Sequence, residues 1–433
     1  MGFESIKNSE ASSSTHGLVD PTSPLLPPHP SAARLSSQPK TFANVFIAIV
    51  GSGVLGLPYT FMRTGWAAGA LLLAAVAALT FYCMLLLVRT RRRLERDQDL
   101  SKIVGVSNIA CFGDLGLAVA GPAGRAAVDA MIVLSQAGFC VGYLIFISNT
   151  LAYLFRLPSN PSPFLAPKAL YIWAMLPFQL GLNSIKTLTL LAPLSIFADV
   201  VDLGAMAVVL GEDLVTFLAH PPPLRAFAGP SVLLYGVGVA VYAFEGIGMV
   251  LPLESEAADK AKFGRTLGLS MFFIAVMYGL FGVLGYFAFG DDTRDIITTN
   301  LGTGVVTVLV QLGLCINLFF TFPVMMNPVY EVVERWFCGK RYCAWLRWLL
   351  VAAVSLAAML VPNFADFLSL VGSSVCIVLA FVLPAAFHLK VFGMELGWGS
   401  VAADLGILVL GLALAVSGTV SSLQEILSSV EVS

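Results

Sequence analysis

Long apolar stretches recur along the chain at a length of about 20 residues, which is what a helix needs to cross a bilayer. The pattern predicts eleven membrane-spanning helices, over 41–62, 65–89, 127–155, 168–184, 187–210, 231–253, 266–289, 303–334, 344–361, 366–389 and 399–421. The division between the fourth and fifth rests on "GLNSIKTLTLLAP", where Asn183, Lys186 and Pro193 interrupt the apolar run. Residues 1–40 are rich in Ser and Pro and have no continuous apolar core. They read as a disordered tail without a cleavable signal. Its Leu25-Leu26 pair stands one position too far from Asp20 for an acidic dileucine sorting signal.

Basic residues orient a polytopic chain, because Lys and Arg accumulate in cytosolic loops. With the N-terminus in the cytosol, only Arg63, Arg156, Lys168, Arg225 and Arg294 of the 24 basic residues fall on the opposite side. The N-terminus is therefore expected in the cytosol and the C-terminus across the membrane. "RTRRRLERDQDL" becomes a charged cytosolic loop.

Two of the spans interrupt themselves. "IVGSGVLGLPYTF" (49–61) carries Gly51, Gly53, Gly56 and Pro58, and "LLYGVGVAVYAFEGIGMVLPLE" (233–254) carries Gly246, Gly248 and Pro252 beside Glu245. In a helix interior Gly costs about 1 kcal/mol and Pro about 3 kcal/mol relative to Ala. Irregular backbone at membrane depth survives only where it is buried in protein or lines a cavity. The two motifs open the first and the sixth span. An odd number of crossings separates them, so the two halves run through the membrane in opposite directions. Broken helices at matching positions of two inverted halves point to a transporter's binding site. Free N–H groups at a half-helix N-terminus suit an anion, and free carbonyls suit a cation. An α-amino acid carries both charges on one carbon. A packing face of small residues is the alternative reading of either motif alone.

Composition agrees with this class. The 433 residues are 58% hydrophobic and 12% charged, with a mean hydropathy of +0.87, where a soluble domain carries about 25% charged residues. A net charge of −2 argues against nucleic-acid partners. No His/Cys cluster has metal-ligand spacing, and no phosphate loop or nucleophile motif supports an enzyme. The seven cysteines, Cys338 and Cys343 among them, suggest no function.

The segments "NVFIAIVGSGVLGLPYTF" and "YAFEGIGMVLPLESE", with "QAGFCVGYLIFISN" (136–149) and "VPNFADFLSLVGS" (361–373), resemble the amino acid/auxin permease family. The likeness runs from Thr41 to the end of the last span. It is closest to the plant amino acid vacuolar transporters and the proton-coupled amino acid transporters. The resemblance implies a leucine-transporter-like all-α fold, with inverted five-helix repeats over 41–210 and 231–391 and an extra helix over 399–421. It also implies transport of small amino acids coupled to protons and, in the vacuolar branch, release from vacuole to cytosol.

Several side chains are candidates for this work. Glu245 is a carboxylate at bilayer depth, which is a functional hypothesis by default; a proton-coupling or ammonium-binding role competes with capping of the break. Asp199 and Asp202 share a face of the fifth span, and Asn317 and Thr321 share a face of the eighth. The resemblance sets the eighth span against the first, where sodium-coupled relatives hold their ion. Too few oxygens converge here, so proton coupling is preferred to sodium. Tyr143 and Gln136 share a face of the third span, and Ser373 and Ser374 stand in the tenth. Asp129 and Asp366 read as helix-end residues and His388 as a boundary residue.

The expected substrate carboxylate lies on N–H groups around Gly51, Ser52, Gly53, Val54 and Leu55. The ammonium meets carbonyls near Ile49 and Phe244. Phe244, Gly246, Ile247 and Tyr143 shape a pocket for small neutral side chains. The protein is thus expected to be a monomeric secondary transporter in the vacuolar membrane, with the plasma membrane an alternative and no cofactor beyond the coupling proton. An amino acid sensor of the same fold and a carboxylate or auxin permease are the competing readings. Glu245 counts against the last, because it would repel a substrate that lacks an ammonium.

Overall fold

Helix α1 (Gln38–Ile49) stops at the extended residues Val50 and Gly51, a 3₁₀ turn follows over Ser52–Gly56, and α2 (Leu57–Thr64) leaves at 52° to α1. Pro58 stands in the first turn of α2, where its missing N–H has no helical acceptor to lose. This computed structural model describes residues 35–96, 109–155, 167–185, 192–302, 304–339, 341–361, 363–393 and 395–432, with the side chains of 192–199 and 429–432 also outside the described set. Of the expected tail over 1–40, residues 1–34 with the dileucine lie outside the described residues, as does Lys186 at the fourth boundary, while its last residues are not a tail, since Ser36 pairs with Ala257 and α1 begins at Gln38.

The further helices are α3 (Trp66–Arg96), α4 (Phe112–Phe155), α5 (Pro167–Asn183) and α6 (Ala192–Ala219). The second interrupted segment gives α7 (Leu233–Ala243) and α8 (Ile247–Glu256). Then come α9 (Phe263–Phe289), α10 (Val305–Phe337), α11 (Ala344–Leu360), α12 (Phe364–Phe392) and α13 (Trp398–Val432). Among the described residues, seven helices are long and apolar enough to cross a membrane, or eight if the bent α1–α2 pair counts as one span. The chain is an all-helical membrane protein.

The boundaries depart from the hydropathy pattern in instructive ways. The third expected span begins earlier, at Phe112, and kinks at Ala120–Gly121, where Gly121 has φ 66° and Pro122 follows. The fifth continues past residue 210 through Glu212 and Asp213 to Ala219, and the last continues past 421 through Glu425. An acid ends an apolar run in the sequence, but a helix can keep it when a neighbouring helix shields or pairs it. Within α12, Gly372–Cys376 and Val378–Val382 adopt wide π turns, a distortion common at functional sites.

Packing draws the two broken segments to the centre. Helix α9 runs along α1, α2 and α6, α10 along α4 and α6, and α12 lies between α7 and α13. Ser36 pairs with Ala257 in a single parallel bridge, Ser36 N–H donating to Glu256 O at 2.8 Å and Ala258 N–H to Ser36 O at 3.0 Å. The start of α1 is thereby tied to the end of α8. On α13, Val409, Val416 and Val420 stay exposed, as lipid-facing positions do.

One end of the bundle is arginine-rich. Glu254, 2% exposed, accepts from Arg91 Nη1 at 3.2 Å and Arg92 Nε at 2.7 Å, and Arg91 also donates to Leu251 O at 2.9 Å. This joins α3 to α8. Asp129 accepts from Arg335 at 2.8 Å, and Glu334 is paired with Arg347 at 2.7 Å. Removing one partner of a buried ion pair strands the other charge and costs about 3–5 kcal/mol. Glu254→Ala is therefore expected to lower the midpoint of thermal denaturation in detergent clearly. Removal of the exposed Arg225–Asp291 pair by Arg225→Ala should leave it where it was. Equal midpoints for the two variants would refute the structural weight given to Glu254.

Candidate functional site

The two interruptions face each other. A Cβ placed on Gly53 would come within 2.7 Å of Ala243 Cα, and one on Gly246 within 2.7 Å of Ile49 Cγ1. Gly53 therefore lets the backbone of the second break approach, and Gly246 makes room for the Ile49 side chain at the first. The first N–H groups of the 3₁₀ turn at Ser52–Gly56 have no intrahelical acceptor, by the geometry of any helix start. Across the break, the Ile49 carbonyl accepts from Tyr278 Oη at 3.3 Å. Ser52, Gly53, Val54, Leu55, Phe244 and Ile247 are all buried. The Phe244 ring meets Tyr278 with centroids 5.3 Å apart.

Aromatic hydroxyls converge on the first break. Tyr143 of α4 and Tyr242 of α7 both interact with the Ser52 side chain. The Tyr242 hydroxyl is buried beside Ser52, and its ring stands edge-on to Phe139 at 4.8 Å. Sequence reasoning missed Tyr242 and Tyr278. Tyr242 lies two residues before the break, in "VAVYAFEG", and that adjacency is the signal that could have found it. Tyr278 carries no local signal, since it arrives from a distant helix.

Glu245 sits in the second break with Oε2 buried and unpartnered among the described residues, within electrostatic reach of Cys376 in the π-turn segment of α12. The structure brings Asp202, Asn317 and Thr321 together from two helices. Asn317 Nδ2 donates to Asp202 Oδ1 at 2.5 Å, and Thr321 Oγ1 donates to Asn317 Oδ1 at 3.0 Å. Asp202 is also within electrostatic reach of Tyr143 and Tyr278. The Asp199 side chain lies outside the described residues. Ser373 donates to Ser369 O at 2.7 Å and packs where Gly418 of α13 leaves room, so it faces the last helix.

At the end of α2 a charged cluster closes the bundle. Arg63 donates to both carboxylate oxygens of Glu425 at 2.8 and 2.7 Å, comes within 3.7 Å of Asp366, and lies 4.4 Å above the Tyr235 ring. A two-pronged guanidinium–carboxylate pair fixes direction as well as charge. Nearby, Asp295 accepts from Phe364 N–H at 3.0 Å at the start of α12, and desolvation pushes its carboxyl up from its ordinary value. His388 is not isolated: its Nδ1 meets Asp404 Oδ2 at 2.6 Å, between α12 and α13 at the arginine-rich end. Among the described residues, no three His, Cys, Asp or Glu side chains converge as metal ligands.

Comparison with known proteins bears on this arrangement. A family model described as "Transmembrane amino acid transporter protein" matches residues 34–424. The chain is 67% identical over 400 residues to amino acid transporter AVT3B of Arabidopsis thaliana, covering 90% of this chain and 94% of that one. It is 27% identical over 375 residues to vacuolar amino acid transporter 3 of Saccharomyces cerevisiae, covering 82% of this chain and 52% of that one. Among solved structures, Mhp1, a nucleobase-cation-symport-1 family transporter in a closed conformation, superposes with a TM-score of 0.50 at 14% identity. That likeness covers 92% of this chain and 93% of that one and concerns the fold.

Proposed function

Because this chain belongs to the transmembrane amino acid transporter protein family, we propose that it is a proton-coupled carrier of small neutral amino acids that moves them from the vacuole to the cytosol. The observation that carries the reading is the pair of facing breaks. The 3₁₀ turn opens with the N–H groups of Ser52 and Gly53 free for a carboxylate, and the carbonyls around Ile49 and Phe244, with Glu245, suit the ammonium. Phe244, Ile247, Tyr143 and Tyr242 crowd that spot, which limits the side chain it accepts to a small one. No sodium-type oxygen cage is invoked. Glu245 is the coupling residue in this reading, with Asp202 and its Asn317–Thr321 chain supporting the first break.

The helices count as eleven crossings when α1–α2 and α7–α8 are each one interrupted span. Residues 41–210 and 231–391 then form inverted five-helix repeats, and α13 is an addition. The arginine-rich end faces the cytosol, as the distribution of basic residues requires. The cluster at Arg63, Asp366 and Glu425 lies on the lumenal side. Rocking of the interrupted helices against the rest opens the site to one face at a time.

Purified protein in proteoliposomes should take up radiolabelled alanine and proline when a pH gradient is imposed, and a protonophore should collapse that uptake. Uptake that follows a sodium gradient and ignores pH would overturn the coupling assignment. Binding without flux under any gradient would leave the chain a sensor.

A further inference from the structure

We propose that Asp213 is a second proton-binding residue, a lumenal site whose protonation is coupled to the position of α2. The inference rests on the proton-coupled reading above and extends it to a residue outside the facing breaks.

Asp213 stands near the end of α6, in the stretch that the apolar pattern left out of the span. Its side chain is 0% exposed, and neither carboxylate oxygen has a hydrogen-bond partner among the described residues. Among the described residues it is the one carboxylate with both oxygens buried and unsatisfied. Glu245, Asp366 and Asp404 each leave only one.

Among the described residues, no cation is paired with it. On its own helix the neighbouring Glu212 is exposed and of the same sign. The titratable residues of α2 are Tyr59 and Arg63, and Arg63 is held by Glu425 and Asp366. Helix α9 brings Tyr278, which donates to Ile49 O, and Tyr286, whose hydroxyl accepts from Arg225 N–H at 3.0 Å. The stretch Val305–Leu314 of α10 has no titratable side chain. An ionised carboxylate buried without donor or counter-charge is strongly unfavourable, and such a group neutralises instead. Asp213 therefore holds its proton in this conformation.

Its position says when the proton leaves. A Cβ on Gly285 of α9 would lie 3.4 Å from Asp213 Oδ2 and 2.7 Å from Pro58 Cβ. Helices α2, α6 and α9 thus meet at one point, and Pro58 opens the second half of the first broken span. Motion of α2 away from α9 uncovers the carboxyl to lumenal water. The acid then exchanges H⁺ with that water, leaving a carboxylate, and must be protonated again before α2 can return. Carboxyl protonation and α2 position become two descriptions of one equilibrium.

The test uses the full chain and the isosteric Asp213→Asn. The first readout is the infrared carbonyl band of a protonated carboxyl at neutral pH, compared between wild type and variant in lipid nanodiscs. The second is alanine uptake at several lumenal pH values, beside alanine counterflow exchange, which reports an intact site. The expected result is a carboxyl band lost in Asp213→Asn, exchange retained, and uptake that no longer rises as lumenal pH falls. Identical bands in the two proteins, or uptake in Asp213→Asn that follows lumenal pH as in wild type, would overturn the proposal. If wild-type uptake itself ignores pH, the coupling reading fails, and the infrared band alone then decides whether Asp213 is a buried proton site. Should Asp213→Asn not fold, Asp213→Leu, which removes the carboxyl and fills its space, takes its place in the infrared comparison.

Discussion

Glu245→Gln is expected to abolish pH-gradient-driven accumulation of alanine while leaving alanine–alanine exchange intact. One pH unit corresponds to about 1.36 kcal/mol. At one proton per amino acid, a difference of about two units therefore sustains a ratio of up to about 100-fold in the wild type. Gln keeps the size and the hydrogen-bonding ends of Glu but cannot bind and release a proton. The variant should therefore equilibrate substrate to a ratio of about one, because it lacks the coupling group that intramembrane acids supply. The observation behind this is the buried, unpartnered Oε2 of Glu245 in the second break. Measurement needs both assays in the same vesicles. Accumulation by the variant equal to wild type would make Glu245 a cap for the interrupted helix and move the coupling to Asp202. Loss of exchange as well would assign it to ammonium binding.

Gly53→Ala is the second large effect. A methyl there would press on Ala243 Cα at 2.7 Å and on the Tyr242 ring at 3.1 Å, pushing the breaks apart. Overpacking of this kind costs about 1–3 kcal/mol, which at 1.4 kcal/mol per decade predicts apparent affinity weaker by roughly 5- to 140-fold. Gly248→Ala is the control. It lies in the neighbouring turn, where an added Cβ meets nothing within 4 Å, and uptake should stay close to wild type. Equal loss in both variants would mean that general helix disruption, rather than the contact between breaks, controls transport.

Both experiments probe features that the sequence announced. Gly and Pro at mid-span, together with Glu245, marked the breaks, because the local cost of those residues in a helix is visible without any partner. Asp202, Asn317 and Thr321 were recognisable one helix at a time, as polar groups on shared faces. Their union through Asn317 was not, since Asp202 and Asn317 are 115 residues apart. Tyr278 and Glu425 gave no signal at all. A tyrosine in an apolar span, or an acid beyond the end of one, looks ordinary until the helix that it touches is known.

By itself, then, the sequence determined the class of protein, the approximate spans, the two interrupted helices and the family. Each of these follows from properties that act along the chain: apolar length against bilayer thickness, backbone propensity, and residue patterns a few positions wide. Only the tertiary structure decided that the breaks face each other through Gly53 and Gly246, that Arg63 binds Glu425 of the last helix, and that Asp213 is sealed without a partner among the described residues. The physical reason is that burial and pairing belong to neighbours in space. An acid near the end of an apolar run reads as solvated from its own segment, and it becomes a proton site only when helices from elsewhere in the chain exclude the water.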